Sequence, residues 1–248
     1  MTPARGGRPA ASVRLDATLA LVEPALRAAT ARLWHPDGLT GRYRAYLAAM
    51  HMVIRASVPL MERAAVRARR LERSGDPLGR PLAAHLAAHI EEERDHDAWL
   101  LDDLVAAGSG PDAALGAVPP PDVAALTGAQ YYWIEHHHPV ALLGYVTVLE
   151  GHAPAAGLAD RLARLTGLPD AAFRTVRAHA QLDGGHVAGL RALLDALPLT
   201  RAQEAAVAVS ALHTMDALTQ LFVRLGRGAP APGPGRGAGR PVPTGGRA

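Results

Sequence analysis

Cysteine and lysine are both absent from this chain of 248 residues, and aromatic residues make up only 4% of it. Without cysteine there is no disulfide, no thiolate metal site, no iron–sulfur cluster and no cysteine nucleophile. Long apolar runs are absent too. None approaches the roughly 18 consecutive residues that a membrane-spanning helix needs, so no membrane partner is expected. The stretch Met1–Ala11 lacks the apolar centre of a secretory signal. No glycine-rich flavin or nicotinamide fingerprint is visible. A soluble cytoplasmic protein is the expectation.

Acidic charge is missing from both ends. The head Met1–Ser12 carries Arg5 and Arg8, and the tail Gly226–Ala248 carries Arg227, Arg236, Arg240 and Arg247, with no acid in either. Without these six charges the formal net charge of +3 becomes −3. The basic pI of about 9.8 is thus a property of the ends, and the centre is mildly acidic. Thirteen of the 23 tail residues are Gly or Pro, a composition that buries no core. Residues 1–12 and 226–248 are therefore expected to be disordered around one domain, 13–225. Nucleic acid is not the expected partner.

Between the ends, apolar residues recur every three or four positions, and no alternating strand pattern leads into a hairpin turn. Leu15, Leu19, Val22, Leu26, Ala29 and Leu33 mark a first helix, with Pro24 to kink or divide it. A second helix is expected over 41–73, bent at Pro59. A third runs 81–107, followed by a loop to Pro121. A fourth covers 121–151, with a bend near Pro139 and Gly144. A short helix (155–165), a long one to about Leu197, and a last one capped by Thr200 and Gln203 complete the set. The expected fold is all-α, a bundle of about seven helices.

The third helix contains the chemistry-bearing residues in highest density. His89, Glu93 and His96 fall on one helical face, with Glu92 beside them. Glu93-x-x-His96 is a spacing that lets a carboxylate and an imidazole reach one metal ion. The same segment carries Leu82, Leu86, Ile90, Leu100 and Leu104, so its polar residues interrupt a packing face rather than decorate a solvated one. On the long sixth helix His179, Asp183 and His186 repeat the pattern at spacings of four and three. Glu150 is the lone acid of the apolar stretch Leu142–Gly151, and a buried carboxylate is costly unless paired or metal-bound. Glu62 stands about level with Glu91 across the turn at Asp76-Pro77, within a turn of Glu93. The alternative for it is an exposed acid paired with Arg55 or Arg69. Carboxylates and imidazoles without thiolate suit iron or manganese better than a closed zinc site.

Three blocks then carry a family resemblance: His89-Ile-Glu-Glu-Glu-Arg-Asp-His96, Leu149-Glu150-Gly151, and His179-Ala-Gln-Leu-Asp183-Gly-Gly-His186. In order and spacing they resemble the iron-containing redox enzyme family of haem-oxygenase-like diiron oxidases and oxygenases, over about residues 40–225. The resemblance implies a seven-helix haem-oxygenase-like fold holding two Fe (or Mn) ions, with O2 as co-substrate. Its ligands would be Glu93, His96, Glu150, His179, Asp183 and His186. Glu62 is the candidate for a further ligand from the preceding helix; His89, one turn before Glu93, is a candidate supporting donor or alternative ligand, and Glu92 a candidate supporting residue. Relatives oxidise substrates as different as fatty acids and amino acids. A small organic substrate, an external electron donor and a homodimer are compatible with this reading.

Two other readings stand beside it. Haem degradation on the same fold needs an axial histidine, for which His51 is the candidate, and leaves the carboxylates unexplained. A non-catalytic helical interaction protein would use the polar residues structurally. A thiaminase-type hydrolase needs a thiol that the chain lacks. Arg44 and Arg55 are candidates to meet a substrate carboxylate. Of His136, His137 and His138, at most two can share a site, because consecutive residues point in different directions on a helix.

Overall fold

The computed structural model describes residues 8–227, with the backbone alone at 113 and 182–184. Twelve α-helices and two short 3-10 turns make up the chain among these residues, and no strand occurs. Four of the seven expected helices are each cut in two. The cuts follow local chemistry. The first helix becomes α1 (Ala11–Ala20) and α2 (Glu23–Leu33), with Pro24 in the first turn of α2, where its missing N–H costs nothing. The second becomes α3 (Leu39–Ile54) and α4 (Ser57–Arg73), with Pro59 likewise in an opening turn rather than at a bend.

The third helix was expected to be continuous and is not. It is broken between α5 (Gly79–Glu93) and α6 (His96–Ala106) by Arg94 in an extended conformation and Asp95 at φ +66°. Nothing in Arg94-Asp95 announces a break. Asp is one of the few residues besides Gly that visits left-handed backbone routinely. A five-residue helix, α7 (Pro111–Leu115), sits in the expected loop. The fourth helix divides into α8 (Pro121–His136) and α9 (Leu142–Gly151) around a 3-10 turn at Pro139–Ala141. His138 caps that turn by accepting the Val140 N–H, and its Nε2 lies 3.3 Å from Asp76. Then follow α10 (Leu158–Thr166), a 3-10 turn at Asp170–Phe173, α11 (Arg174–Ala196) and α12 (Arg201–Gly226). The Thr200–Gln203 capping box at the start of α12 is present as expected.

Helices α4 and α5 form an antiparallel hairpin. Gly79 makes its close approach possible, because a Cβ there would lie 2.7 Å from the Ala68 carbonyl oxygen and strike the Glu72 backbone. Helix α12 is the central rod, packed on α2, α8 and α9. By length and composition alone it is apolar enough to cross a membrane. Here Val207, Ala211, Met215, Leu218, Leu221 and Leu225 are buried in the bundle. Each fully buried Leu contributes roughly 1.5–3 kcal/mol. The few aromatics are concentrated: Tyr43 stacks on Phe173 at 4.7 Å and Tyr46 meets Trp34 at 4.9 Å.

The head of the domain starts earlier than expected. Residues 8–12 are not a loose segment. Helix α1 begins at Ala11, and Ser12 N–H and Oγ both donate to the Asp195 carboxylate at 2.8 Å. Arg8 pairs with Glu204 at 2.6 Å. Of the expected disordered ends, residues 1–7 and 228–248 lie outside the described residues.

Candidate metal centre

Four helices deliver the polar residues to one place inside the bundle. Helix α5 brings His89 and Glu93, α6 brings His96 at its first position, α9 brings Glu150, and α11 brings His179 and His186. The left-handed Asp95 separates Glu93 from His96 without separating their side chains, since His96 Nδ1 lies 3.0 Å from Glu93 Oε2. Trp99 packs on the His96 ring at 4.1 Å, and Arg174 sits over Trp99 at 4.6 Å.

The side chains fall into two groups that could each hold a metal ion. One is His89, Glu93, Glu150 and His186; the other is Glu93, His96 and His179. Within each, the ligand atoms lie within 4.8 Å of one another. Glu93 belongs to both. In the first group His89 Nε2 is 2.6 Å from Glu150 Oε1, and His186 Nδ1 is 3.8 Å from both Glu93 and Glu150. In the second, the His96 and His179 rings meet edge to face at 5.0 Å.

The hydrogen bonds of each group show how it fits a cation. Glu150 Oε2 is buried without a hydrogen-bond partner, and Oε1 faces His89 Nε2 at 2.6 Å. His186 Nδ1 is buried and unpartnered too. His179 donates from Nδ1 to the Thr175 carbonyl at 3.0 Å, which leaves its Nε2 as the free lone pair. A buried carboxylate oxygen and an imidazole nitrogen without partners, together with an oriented imidazole, form an arrangement that a cation can satisfy. The donor set is imidazole and carboxylate throughout, which suits iron or manganese.

Electrostatics agree with this arrangement. Burial alone would raise Glu93, but its hydrogen bond to His96 and the nearby His179 and His89 hold its carboxyl below the usual range. Burial pushes His179 down, towards the neutral imidazole that binds metal. Burial also works against a proton on His89, yet Glu150, Glu92 and Glu93 outweigh it and carry its pKa up to about 9.

The expected residues fare differently. Glu93, His96, Glu150, His179 and His186 come together. Asp183 lies on α11 between the two histidines, and its side chain is outside the described ones. Glu62 does not join them. It is exposed on α4 and belongs to neither group. Standing level with a residue across a hairpin is not the same as facing it, and the inward side of α4 is taken by Met61, Ala64, Ala65 and Ala68. Of the two roles expected for His89, supporting donor or alternative ligand, its place in the first group fits the second. Glu92 does stand behind: its half-exposed carboxylate lies 3.1 Å from His89 Nδ1 and 3.6 Å from His186 Nε2.

Asp103 is the residue that the sequence reading missed. It is fully buried, and its Oδ2 accepts the Thr175 N–H at 2.9 Å, pinning the start of α11 one turn before His179. The signal was the acid pair Asp102-Asp103 between Leu101 and Leu104, weaker than the lone acid that drew attention to Glu150.

The centre opens into a cavity of about 980 Å³, counting its open mouth, walled mainly by apolar side chains such as Met50, Ile54, Leu100, Leu142 and Phe222. Glu93, Glu150, His89 and His179 form one end of it. Arg44 and Arg55 do not line it, and Arg44 donates instead to the Ala107 carbonyl at 2.7 Å. His51, the candidate haem ligand, is buried elsewhere on α3 and does not line it either. His136 packs on Tyr132, and neither His137 nor His138 enters a metal group.

Similar structures share this architecture at low identity. A domain of unknown function with a haem-oxygenase-like fold from Shewanella denitrificans OS217 superposes with a TM-score of 0.70 at 16% identity, over 86% of this chain and 90% of its own. A TenA homolog from Pseudomonas syringae pv. tomato DC3000 does so with a TM-score of 0.68 at 15% identity, over 92% and 99%. No curated protein matches this chain. The model of the family described as "iron-containing redox enzyme" matches residues 77–219, which span every residue of both metal groups. The chain therefore belongs to the iron-containing redox enzymes, on an all-α fold of the haem-oxygenase-like type.

Proposed function

We propose that this protein is a non-haem, two-iron oxidoreductase that uses O2 to oxidise a small, largely apolar organic molecule, with electrons from a separate donor or from the substrate. The observation that carries the proposal is the membership of Glu93 in both ligand groups. A carboxylate has two oxygens and can serve two neighbouring cations at once, so one shared acid converts two incomplete sites into a single two-metal centre.

In this reading His89, Glu93, Glu150 and His186 hold one ion, and Glu93, His96 and His179 hold the other. Bound iron supplies redox chemistry and O2 activation that no side chain of this chain can perform. The protein's own contribution is geometric and electrostatic. His179 is oriented by Thr175, which is in turn held by Asp103. Glu92, at the solvent side of His89, accepts from its Nδ1–H and so would leave Nε2, the nitrogen that faces Glu150, to a metal ion. The apolar wall of the cavity excludes water and holds the substrate beside the ligands.

Anaerobic titration of the purified chain with Fe(II) tests this reading. Two ions per chain are expected, followed by O2 consumption on exposure to air. Glu93→Ala should lose both ions, and His96→Ala one of the two. Two ions retained in Glu93→Ala would sink the proposal.

A further inference from the structure

A second hollow, of about 740 Å³ counting its open mouth, lies close behind the ligands. Leu19 and Ala20 of α1, Thr147 and Gly151 of α9, and Val187 and Leu190 of α11 wall it. Gly151 directly follows Glu150 and Val187 directly follows His186, so the hollow and the first metal group use neighbouring residues of the same two helices. A Cβ at Gly151 would meet nothing within 4 Å, so the space is open there. The charged groups and the hydroxyl of this wall are already engaged within the protein. Asp16 pairs with Arg191 at 2.8 Å, Glu23 with Arg27 at 2.7 Å, and Thr147 Oγ1 donates to the Leu143 carbonyl at 2.6 Å. What the hollow still offers a ligand is chiefly the apolar surface of Leu19, Val187 and Leu190.

His152 stands between this hollow and the cavity beside the ligands. Among the described residues it alone lines both. Before it, Leu149 and Glu150 line the cavity while Thr147 and Gly151 line the hollow; after it, Ala153 and Pro154 return to the cavity. The His152 ring is half-buried at the C-terminal end of α9, and its Nδ1 donates to the Val148 carbonyl at 2.8 Å. That bond holds the ring against the last turn of the helix, where it can act as a fixed wall.

We infer that His152 is a specificity-determining partition. It closes the cavity beside the ligands and sets how far the apolar body of a substrate extends past them. With the imidazole removed, the cavity continues into the hollow, and a longer chain lies against Leu19, Val187 and Leu190. This inference rests on the cavity being the substrate site of the proposed oxidoreductase.

A chain-length series tests it. Saturated fatty acids from octanoate to hexadecanoate are titrated calorimetrically into the full iron-free chain, so that the common carboxylate cancels across the series. Affinity should rise about fourfold for each CH2 that finds apolar wall, then level off at a break point. His152→Ala should move the break point to chains longer by about two methylenes or more, a gain of about sixteenfold for the longest probes. His152→Ser makes the same opening and serves as the test if His152→Ala does not fold. His152→Phe keeps a ring in place and should leave the break point where it is. Ala20→Phe fills the hollow from α1: alone it should change nothing, and combined with His152→Ala it should restore the original break point. An unmoved break point in both opened variants, a shift that Ala20→Phe does not reverse, or no binding of any probe would overturn the inference. Because no iron is present, the two-iron reading stands or falls separately, in the Fe(II) titration.

Discussion

Two buried polar regions of this bundle are built in opposite ways. Between α8 and α12, Gln130, Ser210 and Thr214 form a closed set. Ser210 donates to Gln130 Oε1 at 3.1 Å, Thr214 to the Ser210 carbonyl at 2.7 Å, and Gln130 Nε2 to the Leu126 carbonyl at 3.3 Å. All three are fully buried and all find partners within the protein. Where α9 meets α5 and α11, Glu150 and His186 are also largely shielded from solvent, yet Glu150 Oε2 and His186 Nδ1 are left without hydrogen bonds. The first arrangement stabilises by itself. The second is complete only with something added, and that distinction separates a structural polar cluster from a site.

Mutation should break the two regions in different observables. The largest effect is expected from Glu93→Ala, which removes the acid common to both groups. Iron binding should fall by more than about a hundredfold in equilibrium dialysis, with a much smaller change in the melting temperature of the iron-free protein. Gln130→Leu should do the reverse. It strands the Ser210 hydroxyl and should cost about 2 kcal/mol, a fall of roughly 4–8 °C in melting temperature, with the iron count preserved.

Gly144 joins the regions, because it lies on α9 where that helix presses on α12. A Cβ there would strike the Val207 carbonyl oxygen and lie 2.7 Å from Ala211 N and 3.0 Å from Ser210 Cβ. Backbone atoms cannot step aside, so Gly144→Ala should cost roughly 1–3 kcal/mol and weaken iron binding as well, by displacing Glu150. Calorimetric melting combined with iron titration would show both losses, whereas one without the other would mean the regions are uncoupled.

The smallest expected effect is a pH dependence confined to the open region. His89 is raised from 6.5 to about 9 in the iron-free fold. A raised histidine contributes stability that is fully present below about 6.5 and is lost as pH climbs through 9. The iron-free protein should therefore melt a few degrees lower at pH 9 than at pH 6.5. Glu150→Gln should flatten that slope and Gln130→Leu should not. An unchanged slope in Glu150→Gln would show that the carboxylate does not hold the His89 proton.

Particular residues show how far the site was legible. His179 and His186 repeat at helical spacing and do lie on one helix, so periodicity placed them. His96 was reached by a flawed route, since the helix assumed to align it with Glu93 stops at Asp95 and restarts. Its ring still meets Glu93 because the break spans only two residues. Glu62 misled because chain separation from a turn encodes height along a hairpin but not the direction of a side chain.

By itself the amino-acid sequence determined the all-α class, the helix ends set by proline and by the Thr200 cap, the absence of thiolate, and the kinds of ligand available. These follow from interactions within a few residues along the chain. Tertiary structure alone decided that Glu93 belongs to two groups, that His89 stands within one of them and Glu62 outside both, and that a largely apolar cavity meets them. Those facts depend on how the faces of α4, α5, α6, α9 and α11 turn towards each other. That rotation is set by close contacts such as Gly79 on α4 and Gly144 on α12, which no single segment contains.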